Sequence, residues 1–188
     1  MRRNLLIALG VLMVGLSLYA SRAEAAVFTT IYDGFGFSGG GAPYSNPVGS
    51  FSTSDVLFAT HTGYSWHPFG RTDFGADING LLNVGSGGTY TFTLNSDDGS
   101  QLYIDNALVV NDGGVHPPVI ASGSTALTAG AHSFEVQFFE CCGNPAGVDL
   151  YLPSGVTYSV PEPATWFLLP GALGLIGGFS RRGKPTRV

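Results

Sequence analysis

Thr89-Tyr90-Thr91-Phe92-Thr93-Leu94 alternates with a period of two, which places Tyr90, Phe92 and Leu94 on one face and three threonines on the other. That is the pattern of a strand with one buried and one solvated side. His132-Ser133-Phe134-Glu135-Val136-Gln137-Phe138 repeats it, with Phe134, Val136 and Phe138 inward and Glu135 on the solvated side. Gln101-Leu102-Tyr103-Ile104, Leu108-Val109-Val110 and Val148-Asp149-Leu150-Tyr151-Leu152 read as further short strands, with Asp149 also facing solvent. Ser86-Gly87-Gly88, Asp98-Gly99, Asp105-Asn106 and Asp112-Gly113-Gly114 supply turn chemistry between them. Many short, punctuated strands without a charged helical face predict an all-β fold, an antiparallel β-sandwich or jelly roll. The stretch from Phe28 to Thr72, with Gly39-Gly40-Gly41, is less regular and reads as an edge strand plus long loops.

The chain has 188 residues and a formal charge of −5, with 28 Gly and 11% charged residues, a composition of neither disordered nor coiled-coil type. Its basic residues lie at the two ends, apart from Arg71. Between Ala26 and Val160, eleven carboxylates stand against that one cation. Phosphate binding depends on Lys and Arg displacing counterions, so nucleic acid is excluded as a partner.

The two ends read as addresses. Arg2-Arg3, an apolar run from Leu5 to Leu18 and the small-x-small pattern Ala23-Glu24-Ala25 predict a secretory signal peptide over residues 1–25. The run is shorter than the ~20 residues that span a bilayer, which argues against a permanent helix there. The folded domain is then 26–160, roughly 135 residues, enough for one core. Beyond it, Pro161-Glu162-Pro163 precedes an apolar, Gly-rich stretch from Thr165 to Phe179 and the basic cluster Arg181-Arg182-Gly183-Lys184. This order resembles the PEP-CTERM sorting signal of Gram-negative bacteria. The resemblance implies that 161–188 is a sorting segment with a short hydrophobic helix, transiently anchored in the inner membrane. It further implies recognition by an exosortase-type protease and delivery to the cell surface or beyond. The basic cluster would hold the C-terminus in the cytoplasm and leave the domain outside.

From Gly88 to Leu152 the order of motifs is Gly88-Thr89-Tyr90-Thr91-Phe92, Ser96-Asp97-Asp98-Gly99-Ser100, Leu108-Val109-Val110-Asn111-Asp112-Gly113-Gly114 and Ala129-Gly130-Ala131-His132 through Glu140. It resembles the PA-14 domain, the β-sandwich of the anthrax protective-antigen type, also found in yeast flocculins, epithelial adhesins and inserts of bacterial glycosidases. In the sugar-binding members the pair matching Asp97-Asp98 is joined by a cis peptide, and both carboxylates hold a calcium ion that also coordinates sugar hydroxyls. Their third side-chain ligand, an Asn, falls by strand alignment on Glu140, with Asn144 in the same loop as the other candidate. Adjacent carboxylates aimed at one place repel by up to ~4 kcal/mol in a partly exposed site, which a hard divalent cation offsets. Glu in place of Asn adds charge and changes which coordination positions stay open to a sugar. Read without the family, Asp98-Gly99 is a hairpin turn that needs no metal.

Cys141-Cys142 lie beside the candidate metal site, where a vicinal disulfide, two free thiols and intermolecular links are all open readings. A vicinal bond would present a rigid apolar bump to a ligand. No Cys or His spacing supports zinc. Trp66, with Tyr64 and His67, offers either a sugar-stacking platform or ordinary core. His116, before Pro117-Pro118, is either a pocket rim or a solvated turn residue, and His132 reads as structural. Neighbouring carboxylates cannot straddle a scissile glycosidic bond, and no catalytic triad, zinc motif or phosphate loop is present, so the chain does not read as an enzyme. Two readings follow: a calcium-dependent surface lectin that binds a glycan or exopolysaccharide through Asp97, Asp98, Trp66, His116, Cys141 and Cys142, serving adhesion or biofilm association, and a structural matrix protein of the same fold without a sugar site.

Overall fold

The computed structural model describes residues 27–34, 46–58, 66–142 and 145–160, and these lie in a compact unit spanning Glu24–Val160. The signal segment with Ala23 and Ala25, the sorting segment with Pro161, Glu162 and Pro163, the Gly39–Gly41 run, Tyr64 and Asn144 lie outside the described residues. Among the described residues no helix is long and apolar enough to cross a membrane.

Among the described residues eleven strands run in chain order: β1 Val27–Asp33, β2 Pro47–Thr53, β3 Leu57–Phe58, β4 Phe74–Val84, β5 Gly88–Asp97, β6 Ser100–Ile104, β7 Ala107–Asp112, β8 Val119–Leu127, β9 Gly130–Glu140, β10 Gly147–Tyr151 and β11 Val156–Ser159. They form two antiparallel sheets, one ordered β2-β1-β4-β9-β6-β7 with β11 also pairing β4, the other β3-β10-β5-β8. The apolar side of each alternating strand supplies the core between them. Phe92 and Leu94 come from β5, Leu102 from β6, Val136 and Phe138 from β9, and Leu150 from β10, all shielded from solvent.

The irregular N-terminal part is more ordered than its sequence suggests. β1 is interior to its sheet, flanked by β2 and β4, and β2 takes the edge. β4 escapes sequence reading because Asp77, Asn79, Gly80 and Asn83 are poor strand formers. Pairing on both flanks overrides that preference: β9 matches it along its whole length, from Phe74↔Glu140 to Val84↔Gly130, while β1 and β11 share its other edge. The Asp105-Asn106 turn joins β6 to β7 as expected, both residues adopting the positive φ that a tight hairpin requires.

Asp98-Gly99 is not a hairpin turn. β5 belongs to the four-stranded sheet and β6 to the seven-stranded one, so these two residues carry the chain from one sheet to the other. A Cβ on Gly99 would stand 2.5 Å from the Phe139 ring and 2.7 Å from the Gly114 carbonyl oxygen, so only Gly allows so close a passage. The Gly99 carbonyl in turn accepts the Phe139 N–H at 3.0 Å. Asp149 also departs from expectation. It sits on the face opposite the apolar residues, yet it is buried, and its Oδ2 accepts the Tyr151 hydroxyl at 3.3 Å.

Candidate functional site

Where the chain crosses between sheets, the end of β9 comes alongside. The Asp97-Asp98 peptide is cis. Asp97, Asp98 and Glu140 are all buried, and one carboxylate oxygen from each lies within 4.8 Å of the others. The Asp98 amide donates to Glu140 Oε2 at 3.1 Å. Both Asp98 carboxylate oxygens accept backbone N–H groups, Oδ1 from His116 at 3.0 Å and Oδ2 from Cys141 at 2.8 Å. One side chain thus anchors the loop after β7 and the loop after β9 to the same point.

The electrostatics show an excess of negative charge there. Burial, with Asp98 and Asp97 close by, pushes the Glu140 carboxyl up to about 8. Burial and then the Asp98 charge also raise Asp97. Asp112, raised by burial, sits behind the pair, accepting the Ser96 hydroxyl at 3.1 Å. Nearby His116 is oriented by acceptors at both ring nitrogens, the Pro117 carbonyl at 2.9 Å and the Asp112 carbonyl at 3.1 Å. Burial opposes its protonation, but these carbonyls and the Asp112 and Asp98 charges outweigh that and raise it.

The three carboxylates floor an open cleft of about 350 Å³. Val115, His116, Pro117 and Pro118 line one part of it, and Cys141, Cys142 and Pro145 another. Cys141 and Cys142 form a vicinal disulfide, with Cα atoms 3.7 Å apart, which resolves the three readings left open by sequence. An all-oxygen, all-carboxylate donor set, buried and, among the described residues lining the cleft, faced by no basic side chain other than His116, fits a hard cation such as calcium. The two prolines and Val115, whose exposure is 64%, were not singled out in sequence as part of a site. Their only signal was adjacency to His116.

The structure places Trp66 elsewhere. Its ring stacks on Phe58 with centroids 4.2 Å apart and meets Phe74 and Phe138 at 5.4 and 5.6 Å, so it is core packing rather than cleft wall. Its Nε1–H is buried without an acceptor. His67 packs at 4.4 Å on Phe74, and its Nδ1 accepts the Phe69 N–H at 3.1 Å. His132 bonds Asp105 Oδ2 at 2.6 Å and the Thr128 carbonyl at 3.0 Å, tying the β6–β7 turn to the start of β9.

Comparison with known proteins agrees with this architecture. The family described as PA14 domain matches residues 29–162, and the PEP-CTERM protein-sorting motif matches residues 159–184. The chain belongs to the PA14 domain family and carries a PEP-CTERM sorting motif at its C-terminus. No curated protein matches it in sequence. Among solved structures, an anti-sigma factor domain-containing protein is similar over 71% of this chain and 44% of its own length, at 18% identity and a TM-score of 0.58. The chain therefore spans less than half of that relative. The PA14 sugar-binding domain of an RTX adhesin covers 68% of this chain and is itself covered to 88%, at 16% identity and a TM-score of 0.50. The epithelial adhesin 9 A domain from Candida glabrata, solved with Galβ1-4GlcNAc, covers 72% and is covered to 86%, at 12% identity and a TM-score of 0.51. At these identities the likeness is one of fold.

Proposed function

We propose that this chain is an exported, cell-surface carbohydrate-binding module whose cleft engages a glycan through calcium. The observation that carries the reading is the convergence of Asp97, Asp98 and Glu140 on the floor of an open cleft, in a fold whose structural neighbours include sugar-binding adhesins. Calcium, when bound, would supply charge neutralisation and coordination sites for vicinal sugar hydroxyls. Asp97, Asp98 and Glu140 would hold it, with Asn144 as a further candidate ligand. The His116 and Cys141 amides fix the Asp98 carboxylate, and the disulfide and prolines line the cleft beside it. The sorting motif supports export, a transient stay in the inner membrane of a Gram-negative cell and processing by an exosortase-type protease. Adhesion or association with an exopolysaccharide or biofilm is the role that combines these features.

The competing reading is a structural matrix protein of the same fold without a sugar site. Glu140 favours it, because a third carboxyl occupies a ligand position and its Oε2 is turned inward, accepting the Asp98 N–H. Screening the full chain against immobilised mono- and disaccharides, with calcium and with chelator, separates the two. Calcium-dependent binding lost in an Asp97→Ala, Asp98→Ala double variant supports the lectin. Absence of any calcium-dependent binding leaves the matrix protein.

A further inference from the structure

The outward face of the seven-stranded sheet carries a second pattern, away from the cleft. Strand register aligns two rows of side chains across it. One runs Phe28–Asn79–Glu135–Tyr103–Leu108 and the other Thr30–Asp77–Gln137–Gln101–Asn111, each over β1, β4, β9, β6 and β7, with Gln101 itself covered by its neighbours. Neither row contains Lys, Arg or His, the residues that ordinarily blunt a solvated sheet. Hydroxyls, amides, two carboxylates and flat rings take their place.

These groups are pre-oriented by one another. Gln137 Nε2 donates to Glu135 Oε1 at 2.6 Å, the Tyr103 hydroxyl to Gln101 Oε1 at 2.7 Å, and Gln101 Nε2 to Asn111 Oδ1 at 2.9 Å. Asp77 Oδ1 is shielded from solvent and accepts no hydrogen bond. At the Tyr103 end a recess of about 70 Å³ opens between Asn79, Tyr103, Asn106, Ser133 and Glu135. At the other end Phe28 is 50% exposed. Three inter-strand steps separate the two rings, roughly 14 Å, which is the reach of a few sugar residues in an extended chain.

We infer that this face is a second, metal-independent binding site for a neutral polysaccharide chain lying across the strands. Phe28 and Tyr103 offer rings to the apolar faces of sugar residues, while Asn79 and Glu135 between them exchange hydrogen bonds with hydroxyls. The occupant follows from charge and polarity. Two carboxylates without a cation repel an anionic polymer, and the half-exposed Phe28 and Leu108 stand at opposite ends of the first row, separated by Asn79 and Glu135, so they form no contiguous apolar patch of the kind that docks a protein. The site is separate from the cleft, since Glu135 lies five residues from Glu140 along β9, roughly 17 Å. It stands whether or not the cleft binds calcium.

Affinity electrophoresis of the full chain through hydroxyethylcellulose, galactomannan or xyloglucan, in excess EDTA, tests this, with alginate as the anionic control. Retardation by at least one neutral polymer and none by alginate is expected, unchanged in the Asp97→Ala, Asp98→Ala variant. Losing a hydrogen bond to a charged group weakens binding by roughly tenfold or more, so Glu135→Ala should do so, as should Tyr103→Ala. Thermal melting confirms that each variant folds, and Asn79→Ala, an outward-facing truncation, replaces any that does not. No retardation by any of the three neutral polymers overturns the inference. So does retardation that these substitutions leave intact, or that appears only with calcium and so belongs to the cleft.

Discussion

The Asp98 amide donates to Glu140 Oε2 at 3.1 Å, joining the two-residue passage between the sheets to the end of the longest strand pairing in the domain. This single bond brings together residues 42 positions apart and makes the acidic floor a product of sheet packing. Five measurable consequences follow from this arrangement and its surroundings.

Calcium should stabilise the full chain. A ligand at a hundred times its dissociation constant contributes ~2.7 kcal/mol, which raises the melting midpoint by several degrees in a domain of this size. The shift is expected in the wild type and absent in the Asp97→Ala, Asp98→Ala variant. Equal midpoints with calcium and with EDTA in the wild type would reject the metal site.

Glu140 should make calcium binding pH-dependent. Its folded pKa, about 8, lies above the ordinary 4.5, so the metal-free native state binds more protons than the unfolded chain between those values and loses stability as pH rises through them. Calcium requires the ionised form, so affinity should climb from pH 6 to 8 with release of a proton. Calorimetry in two buffers of different ionisation enthalpy reads that proton directly. In Glu140→Gln the proton release should vanish, and the chelated protein should no longer weaken between pH 6 and 8 through this group.

Gly99→Ala should destabilise the domain by about 2–4 kcal/mol, because the added methyl meets the Phe139 ring and the Gly114 backbone, and backbone cannot swing aside. Denaturant unfolding measures the loss. A variant as stable as the wild type would mean that the passage between sheets has room the distances deny.

Trp66→Ala should cost about 2–4 kcal/mol, somewhat below the range for removing a fully buried aromatic, because Trp66 is partly buried against the core. Calcium affinity of the folded fraction should stay unchanged, since Trp66 packs on Phe58, Phe74 and Phe138 rather than in the cleft. Selective loss of glycan binding with stability intact would instead restore Trp66 as a sugar platform.

His67 should limit stability in acid. Burial, and then the Arg71 charge, lower it from 6.5 to about 4, so the unfolded chain binds the extra proton between those values. Stability from this group is full above pH 6.5 and falls by about 2–3 kcal/mol as pH drops through 4. His67→Gln should flatten that part of the stability profile measured by urea unfolding, whereas an unchanged slope would assign the acid loss to other groups.

Much of this protein can be read from its residues in order. Alternation in Thr89–Leu94 and His132–Phe138 specifies which side chains turn inward, because a strand's side-chain period is set by the backbone alone. The Asp105-Asn106 turn is equally local, as is the C-terminal sorting motif. The PA14 resemblance, rather than the residues alone, implied that Asp97 and Asp98 group with Glu140 or Asn144, and the fold brings Asp97, Asp98 and Glu140 within 4.8 Å.

Other features are set only by tertiary structure. β4 exists because two neighbouring strands and β11 pair with it, an energy that no propensity of Asp77, Asn79 or Gly80 contains. Asp98-Gly99 has the same local chemistry in a hairpin and in a passage between sheets. The choice lies with the partners that β5 and β6 find, β8 and β10 for one, β7 and β9 for the other. Trp66 became core, and Asp149 became buried, for the same reason: exposure is a property of what packs above a residue. The sequence by itself determined β5, β6, β7, β9 and β10 with their inward faces, because alternation and turn chemistry are local, and it carried the sorting motif at the C-terminus. The sheet partners, and with them the carboxylate floor and the polar outer face, came from long-range pairing, which depends on residues far apart in the chain satisfying one another at once.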